Sequence, residues 1–264
     1  MLLLVTLFLA VIFVIICLYY KDPGVKGQIG ESQIVDNLSF EGLKGHKGVV
    51  LRNLYIPRPN GTTEADIVYI TSKGIFVIES KNYAGYIFGS GNHKHWTVSL
   101  YTGKNYLGFK TTTKLKLYNP VWQNSTHINA LRNYLQGNIK YYSLIVFSDR
   151  ASLMEINVNK PYTYVINKSD LGSVISNIWR REQDTLTESD INRIASRLAP
   201  LQGTNKQKKD EHLQSMYVRQ HHTAKCPKCG GDLVLRTARK GPNAGKQFYG
   251  CSKYPKCTYT RNLD

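Results

Sequence analysis

The sequence predicts an α/β protein: a mixed sheet flanked by helices, with a membrane-spanning helix ahead of it and a small cysteine-rich module behind. Three observations carry this expectation. Runs rich in β-branched and aromatic residues fill the stretch from Gly48 to Lys116, and helical patterns then alternate with further strand-like runs up to Leu198. An uncharged apolar segment opens the chain, and four of its five cysteines crowd the other end. Strands first, then helix, strand and helix make a layered α/β unit. With 264 residues the chain is long enough for a real core and a small appendage.

Residues 1–20, MLLLVTLFLAVIFVIICLYY, carry no charge. Twenty helical residues at ~1.5 Å each span the ~30 Å hydrocarbon core. A cleavable signal would want a basic start, a shorter apolar run and a small-residue cleavage site, and none is evident. Tyr19 and Tyr20 fall where an interfacial aromatic belt would lie, and Lys21 and Lys26 follow. The positive-inside rule then expects a single-pass cell-membrane protein with its C-terminal bulk in the cytoplasm. Cys17 has the role of an apolar residue there, or of a lipidation site near the interface.

A soluble unit over 24–200 is expected next. Gly24 to Gly27 read as a flexible exit, and Gly30 to Leu38 as a helix with Ile34, Val35 and Leu38 on one face. Glu31 sits in its first turn by this reading, either complementing the helix dipole or aimed at a metal centre. Gly48 to Ile56 is a strand, and Pro57 to Glu64, with Asn60-Gly61, a loop. Strands at Asn82–Gly89, Trp96–Tyr101 and Phe109–Lys116 form a meander. His93 and His95 are spaced as a possible ligand pair, but in a loop with no partner they read as solvated. Asn119-Pro120 opens a helix with Val121, Ile128, Leu131 and Leu135 as its stripe and Gly137 as its end. Tyr141–Phe147 is a buried strand. Tyr162–Ile166 is another, leading to a helix over Ser169–Arg181. A last helix starts at Thr187 with a Thr-x-x-Asp capping pattern.

One stretch organises the rest: Asp66 to Lys81, DIVYITSKGIFVIESK. Two apolar runs flank a turn-like Thr71-Ser72-Lys73-Gly74, so an antiparallel hairpin is the natural reading. If Ile70 pairs with Ile75, Asp66 falls opposite Glu79, and period two puts Lys81 on the same face. Carboxylates at such a separation repel by ~3 kcal/mol at an effective dielectric of ~20. A hard divalent cation would turn that repulsion into a ligand set, with the lysine orienting water or stabilising phosphate charge. The bland alternative is that Lys81 simply forms an ion pair with Glu79 or Asp66 at a strand end.

The span from Gly30 to Leu135 resembles the NERD (nuclease-related) domain, a family similar in turn to the restriction-endonuclease-like PD-(D/E)xK nucleases. The matching elements are Gly30-Glu31, Asp66, Lys73-Gly74-Ile75-Phe76-Val77-Ile78-Glu79-Ser80-Lys81, Asn82, Gly85, Trp96 and Asn119-Pro120-Val121-Trp122-Gln123. The resemblance implies a restriction-endonuclease-like mixed sheet flanked by helices. It implies Asp66 and Glu79 as ligands of Mg²⁺ or Mn²⁺, Lys81 as a catalytic group, and Glu31 and Gln123 as accessory site residues.

Residues 201–223 are polar and weakly periodic, a linker with some helix near His212. In 224–264, Cys226-Pro-Lys-Cys229 and Cys251-x5-Cys257 fit a structural Zn²⁺ site with four thiolates. So small a piece needs the metal to supply missing stability. This ribbon looks like the one at the C-terminus of bacterial type I topoisomerases, which implies contact with DNA, notably single strands. Strands are expected at Leu233–Arg236 and Gln247–Gly250. Arg236, Arg239, Lys240, Lys246, Lys253 and Lys256 surround Phe248, Tyr249 and Tyr254, so cations can meet phosphates and rings can stack bases. A protein-binding ribbon is the alternative.

Charge agrees with a polyanion partner. The formal net charge is +17, and such an excess favours nucleic acid or an anionic membrane surface. Two expectations follow: a membrane-anchored, cytoplasm-facing, Mg²⁺-dependent deoxyribonuclease whose ribbon binds DNA, or a catalytically inactive protein of the same fold that tethers DNA to the membrane.

Overall fold

The structure, a computed structural model, describes residues 23–39, 48–59, 61–203, 212, 225–238 and 247–262. The expected membrane segment and most of the linker lie outside the described residues. Among the described residues no helix is long and apolar enough to cross a membrane. Two compact units are present, residues 1–212 and 213–264.

In the first unit, α1 (Pro23–Ser39) precedes β1 (Gly48–Arg58), β2 (Gly61–Thr71) and β3 (Gly74–Lys81). These three strands pair in antiparallel order. β7 (Tyr141–Phe147) adds to β3 in parallel and β9 (Thr163–Asn167) adds to β7 in parallel, giving a five-stranded mixed sheet. β3 and β7 are covered on both faces, which is why they read as unbroken apolar runs. On one face lie α2 (Pro120–Leu135) and α4 (Glu188–Leu198), which bury Ile128, Leu131, Ile194 and Leu198 against Leu54, Val68, Ile75 and Val77. On the other lie α1 and α3 (Leu171–Arg181), which bury Ile34, Leu38, Ile175 and Ile178 against Ile67, Phe76, Ile78 and Leu144. Each such side chain stabilises the fold by ~1.5–3 kcal/mol.

Several expectations change in detail. α1 starts at Pro23, so residues Gly24 to Gly27 are helical and Glu31 stands in the helix interior, not in a first turn. Proline at the first helical position has no N–H to satisfy. The expected loop from Pro57 to Glu64 shrinks to two residues, because β1 and β2 stay paired out to Arg58 and Gly61. The β2–β3 turn also has two residues, Ser72 and Lys73, between paired Thr71 and Gly74. Gly74 has φ +128°, and a Cβ there would lie 2.4 Å from the Lys140 carbonyl oxygen, so glycine is required. The Thr187–Asp190 capping box of α4 forms as the pattern predicts.

The meander is a separate sheet. β4 (Gly85–Ser90), β5 (His95–Lys104) and β6 (Lys110–Tyr118) pair in order, and β8 (Ala151–Asn157), which the sequence pattern did not reveal, adds to β4 in parallel. Only Ala151 of β8 is buried, so no apolar run marked it. Trp96, Val98 and Leu117 pack on Val121, Ile145 and Phe147 and join this sheet to the main one. A Cβ on Gly89 would sit 2.1 Å from the Trp96 ring, so glycine makes room for that indole.

The second unit is a three-stranded sheet of β10 (Leu233–Thr237), β11 (Gln247–Cys251) and β12 (Thr260–Asn262), the last unexpected from the sequence.

Candidate functional site

The β2–β3 hairpin pairs Ile70 with Ile75, and the ladder ends at Ile67–Ile78, one pair short of Asp66 and Glu79. What lies beyond departs from simple alternation. Val49 and Leu51 face α2 and α4 from β1, and so do Leu54 and Ile56; on β2, Ala65 faces that side, and so do Val68 and Ile70. Both strands therefore change phase together at Asn53 and Asp66, with no change of register, and Asn53 takes φ +51° to do so. At this kink Asp66 Oδ2 accepts from the Ser80 backbone N–H at 2.8 Å. A side chain replaces a main-chain ladder bond and holds Asp66 beside Glu79.

Glu79 is 1 % exposed. Its Oε1 accepts from Lys81 Nζ at 2.5 Å, and its Oε2 lies 3.1 Å from His127 Nε2. Lys81 Nζ also donates to Gln123 Oε1 at 3.1 Å. His127 Nδ1 lies 2.8 Å from Thr63 Oγ1. An ionised carboxylate only accepts, so Nε2 carries a proton; in the neutral ring the Thr63 hydroxyl then donates to Nδ1. Gln123 and His127 are one turn apart on α2 and reach the same end of β3. Asn119 caps α2, accepting from the Val121 and Trp122 N–H groups. Asn124 fastens the helix to the sheet by donating to the Val77 carbonyl at 2.8 Å and to Ser143 Oγ at 2.9 Å.

The electrostatics separate the two carboxyls. Burial pushes Asp66 well above the usual carboxylate range, and the Glu79 charge adds to this against the opposing pull of Lys81 and the Ser80 N–H. Burial also acts on Glu79, but the Lys81 ammonium and the His127 hydrogen bond outweigh it and hold this carboxyl below its ordinary value. Burial pulls Lys81 down, and Glu79 and Asp66 more than offset it, so the ammonium is held above the ordinary lysine value. Glu31 is near enough for its charge to push Asp66 up as well. The neighbouring Gly30 places α1 over Ser80 and Asn82.

Asp66, Glu79, Lys81 and Gln123 thus converge, with Glu31 flanking Asp66. His127 and Thr63 complete the group and escaped the sequence reading. The signal was there: His127 follows Gln123 by four residues. Asp66 and Glu79 could each offer a carboxylate oxygen to a hard divalent cation, although with Glu31 or His127 they form no group of three candidate ligand atoms among the described residues. Each carboxylate oxygen has two lone pairs, so Glu79 keeps acceptor capacity beside Lys81 and His127. His93 and His95 join no metal-binding group among the described residues.

In the ribbon, the sulfurs of Cys226, Cys229, Cys251 and Cys257 all lie within 4.8 Å of one another, with Cys226–Cys257 at 3.6 Å and Cys229–Cys251 at 3.4 Å. Tetrahedral zinc with Zn–S of ~2.3 Å needs S–S of ~3.8 Å, so the cluster fits Zn²⁺. Arg236 lies over the Tyr254 ring at 5.6 Å, and Arg261 over Tyr249 at 5.3 Å. Arg236, Phe248 and Tyr254 line one cleft of about 240 Å³. Lys253 donates to the Cys229 carbonyl oxygen at 3.3 Å. Arg239, Lys240 and Lys246 lie outside the described residues.

Comparison with known proteins agrees with both units. The nuclease-related domain family matches residues 26–148, and the topoisomerase DNA binding C4 zinc finger family matches residues 223–264. An uncharacterized protein of Bacillus anthracis is 30% identical over 154 residues, which is 58% of this chain and 67% of that protein. DNA topoisomerase 1 of Archaeoglobus fulgidus is 32% identical over 139 residues, 50% of this chain but 19% of the topoisomerase. DNA topoisomerase 1 of Pyrococcus horikoshii is 56% identical over 36 residues, 14% of this chain and 5% of that enzyme. The topoisomerases are thus matched over small fractions of their length. No solved structure matches the chain.

Proposed function

Because the chain belongs to the nuclease-related domain family and ends in a topoisomerase-type C4 zinc ribbon, we propose that it is a metal-dependent nuclease hydrolysing DNA phosphodiester bonds, held at the cytoplasmic face of the cell membrane by residues 1–20. The observation that carries this reading is the half-buried Asp66–Glu79–Lys81 group at the end of β3, with Glu79 fully buried at its centre and braced by Gln123 and His127. The fold then belongs with the restriction-endonuclease-like nucleases. Its mixed sheet, with helices on both faces and the acidic pair at one end, supports that placement.

Asp66 and Glu79 would hold Mg²⁺ or Mn²⁺, which when bound supplies charge neutralisation at the scissile phosphate. Lys81 stays protonated at neutral pH, so it acts as a hydrogen-bond donor and a fixed positive charge and not as a proton acceptor. Gln123 holds the ammonium in place as a second acceptor besides Glu79. His127 fixes the Glu79 carboxylate and keeps it ionised. Glu31 adds negative charge next to Asp66 and tightens the hold on a cation. The ribbon, with Arg236, Phe248, Tyr249, Lys253 and Tyr254, keeps DNA bound to the chain.

The test is cleavage of circular and linear DNA by the full chain purified in detergent, with Mg²⁺ or Mn²⁺. Glu79→Ala and Lys81→Ala should each abolish cutting without abolishing binding. A second reading, a DNA tether without catalysis, draws on the engagement of both Glu79 oxygens by protein partners. It stands if wild type and both variants bind DNA alike and none cuts any form. Resistance of the chain to alkaline extraction from membranes, lost on deleting residues 1–20, tests the anchor.

A further inference from the structure

We propose that the outer half of the β5–β6 ribbon is an arm that grips duplex DNA. In this arm Lys104, Lys114 and Lys116 meet phosphates, and the tip from Tyr106 to Phe109 reaches the base pairs. This rests on the reading that the chain works on DNA and gives the nuclease unit a contact surface of its own.

The ribbon is unusual as a piece of protein. Near its base it is anchored, with Trp96, Val98 and Leu117 in the core. Beyond Leu100 it leaves the body of the unit. Tyr101, Thr102 and Lys104 on β5 and Thr112 to Lys116 on β6 are exposed. The tip displays Tyr106 at 96% exposure, Leu107 at 63% and Phe109 at 67%. A two-stranded ribbon has little stability of its own, and exposed apolar tips signal a partner. The tip is nevertheless ordered. Asn105 Oδ1 accepts from the Leu107 and Phe109 N–H groups, and Asn105 N–H donates to the Phe109 carbonyl. Its rings are therefore presented with little further ordering to be lost on binding.

The charge fits a polyanion. Between Glu79 and Asp149 the sequence has no acidic residue and eight lysines or arginines. Lys114, Lys116 and Tyr118 share the β6 face opposite to buried Leu117, so this basic face turns away from the core. A two-stranded ribbon fits the major groove of B-DNA, ~12 Å wide, and apolar wedges can enter base steps. A bilayer fits less well. β6 is an edge strand, and hydrocarbon cannot satisfy the backbone groups left on its open side. Hydrated phosphates can accept from its N–H groups. The ribbon also leads directly to the site, because Tyr118 is followed by the Asn119 cap and by Gln123.

The full chain in detergent, without added Mg²⁺ or Mn²⁺ so that DNA is not cut and the ribbon keeps its zinc, would be titrated onto a labelled short duplex at several salt concentrations between about 50 and 200 mM. The triple variant Lys104→Ala/Lys114→Ala/Lys116→Ala should lower the salt slope by about 2–3, at ~0.9 per phosphate contact. The triple variant Tyr106→Ser/Leu107→Ser/Phe109→Ser should weaken binding by about fivefold or more with the slope unchanged. All six positions are exposed, and an unaltered tryptophan-detected unfolding transition of the first unit confirms the fold in each variant. If wild type binds and both variants match it in affinity and slope, the arm is refuted while the DNA reading survives. If wild type binds no DNA, both fall together. A Tyr106→Trp variant whose emission moves to the blue on phosphatidylserine nanodiscs but not on duplex would assign the tip to the membrane instead.

Discussion

His127 offers the sharpest test of the candidate site, because its role can be read from stability without any turnover. The His127→Ala substitution removes the 3.1 Å contact to the Oε2 of a glutamate that is 1 % exposed. A hydrogen bond to a buried charge is worth about 1.5–3 kcal/mol, and the lost ring adds a cavity cost of about 1 kcal/mol. The variant should therefore be destabilised by about 2.5–4 kcal/mol. Placing Glu79→Gln in the same background removes the charge that needed the imidazole, so the double mutant should be more stable than the sum of the single effects by about 1.5–3 kcal/mol. The pH dependence has a definite sign. Glu79 is held below its ordinary value of 4.5, so its contribution is full above that pH and is lost as pH falls through the lowered folded value. Without His127 the folded value rises, and acid unfolding should begin at higher pH. Tryptophan fluorescence is the right probe, because Trp96, Trp122 and Trp179 all lie in the unit of residues 1–212 and the ribbon contributes no signal. Additivity within about 0.5 kcal/mol, with an unmoved acid midpoint, would refute the claim that His127 sustains the Glu79 charge.

Two further outcomes follow from the same geometry. Burial and the Glu79 charge raise Asp66, so its ionised form costs stability above its ordinary pKa and that cost is complete above the raised folded value; Asp66→Asn should raise the unfolding temperature at pH 8, and Mn²⁺ should raise it further in wild type but not in the variant. Removing zinc with a strong chelator should melt the ribbon and weaken DNA binding while leaving the tryptophan-detected transition of the first unit in place; a shift of that transition, or binding unchanged, would contradict the division of labour between the two units.

Much of this was legible because the strongest signals were local. Ile70 pairs with Ile75 because a two-residue turn at Ser72-Lys73 leaves the β-branched runs no better register. Gln123 came through the family resemblance, which runs through Asn119-Pro120-Val121-Trp122-Gln123. The cysteine spacings were enough for the ribbon. What stayed hidden depended on contacts between distant segments. Period-two arithmetic brought Asp66 to Glu79 but not by the right route, because the phase change at Asn53 and Asp66 occurs in both strands at once and cancels in the register. A helix histidine such as His127 is ordinary until β3 and β2 supply Glu79 and Thr63. β8 was invisible because it pairs along one edge of a sheet and buries almost nothing.

The placement of Glu79 on β3 bears on how the chain comes into being during synthesis. Glu79 and Lys81 lie beyond the last β2–β3 pair, and their strand neighbours are Ile145 and Phe147 of β7. Until the ribosome has released residues past Phe147, the end of β3 has no partner on that side, and α2 has no sheet edge to complete its seat. Parallel pairing over such a sequence separation is slow relative to forming the β2–β3 hairpin. A nascent chain therefore carries every residue of the acidic cluster well before it can hold them together. The cluster can close only after Phe147 has emerged from the ribosome to pair with Lys81, when residues 1–20 have long left it.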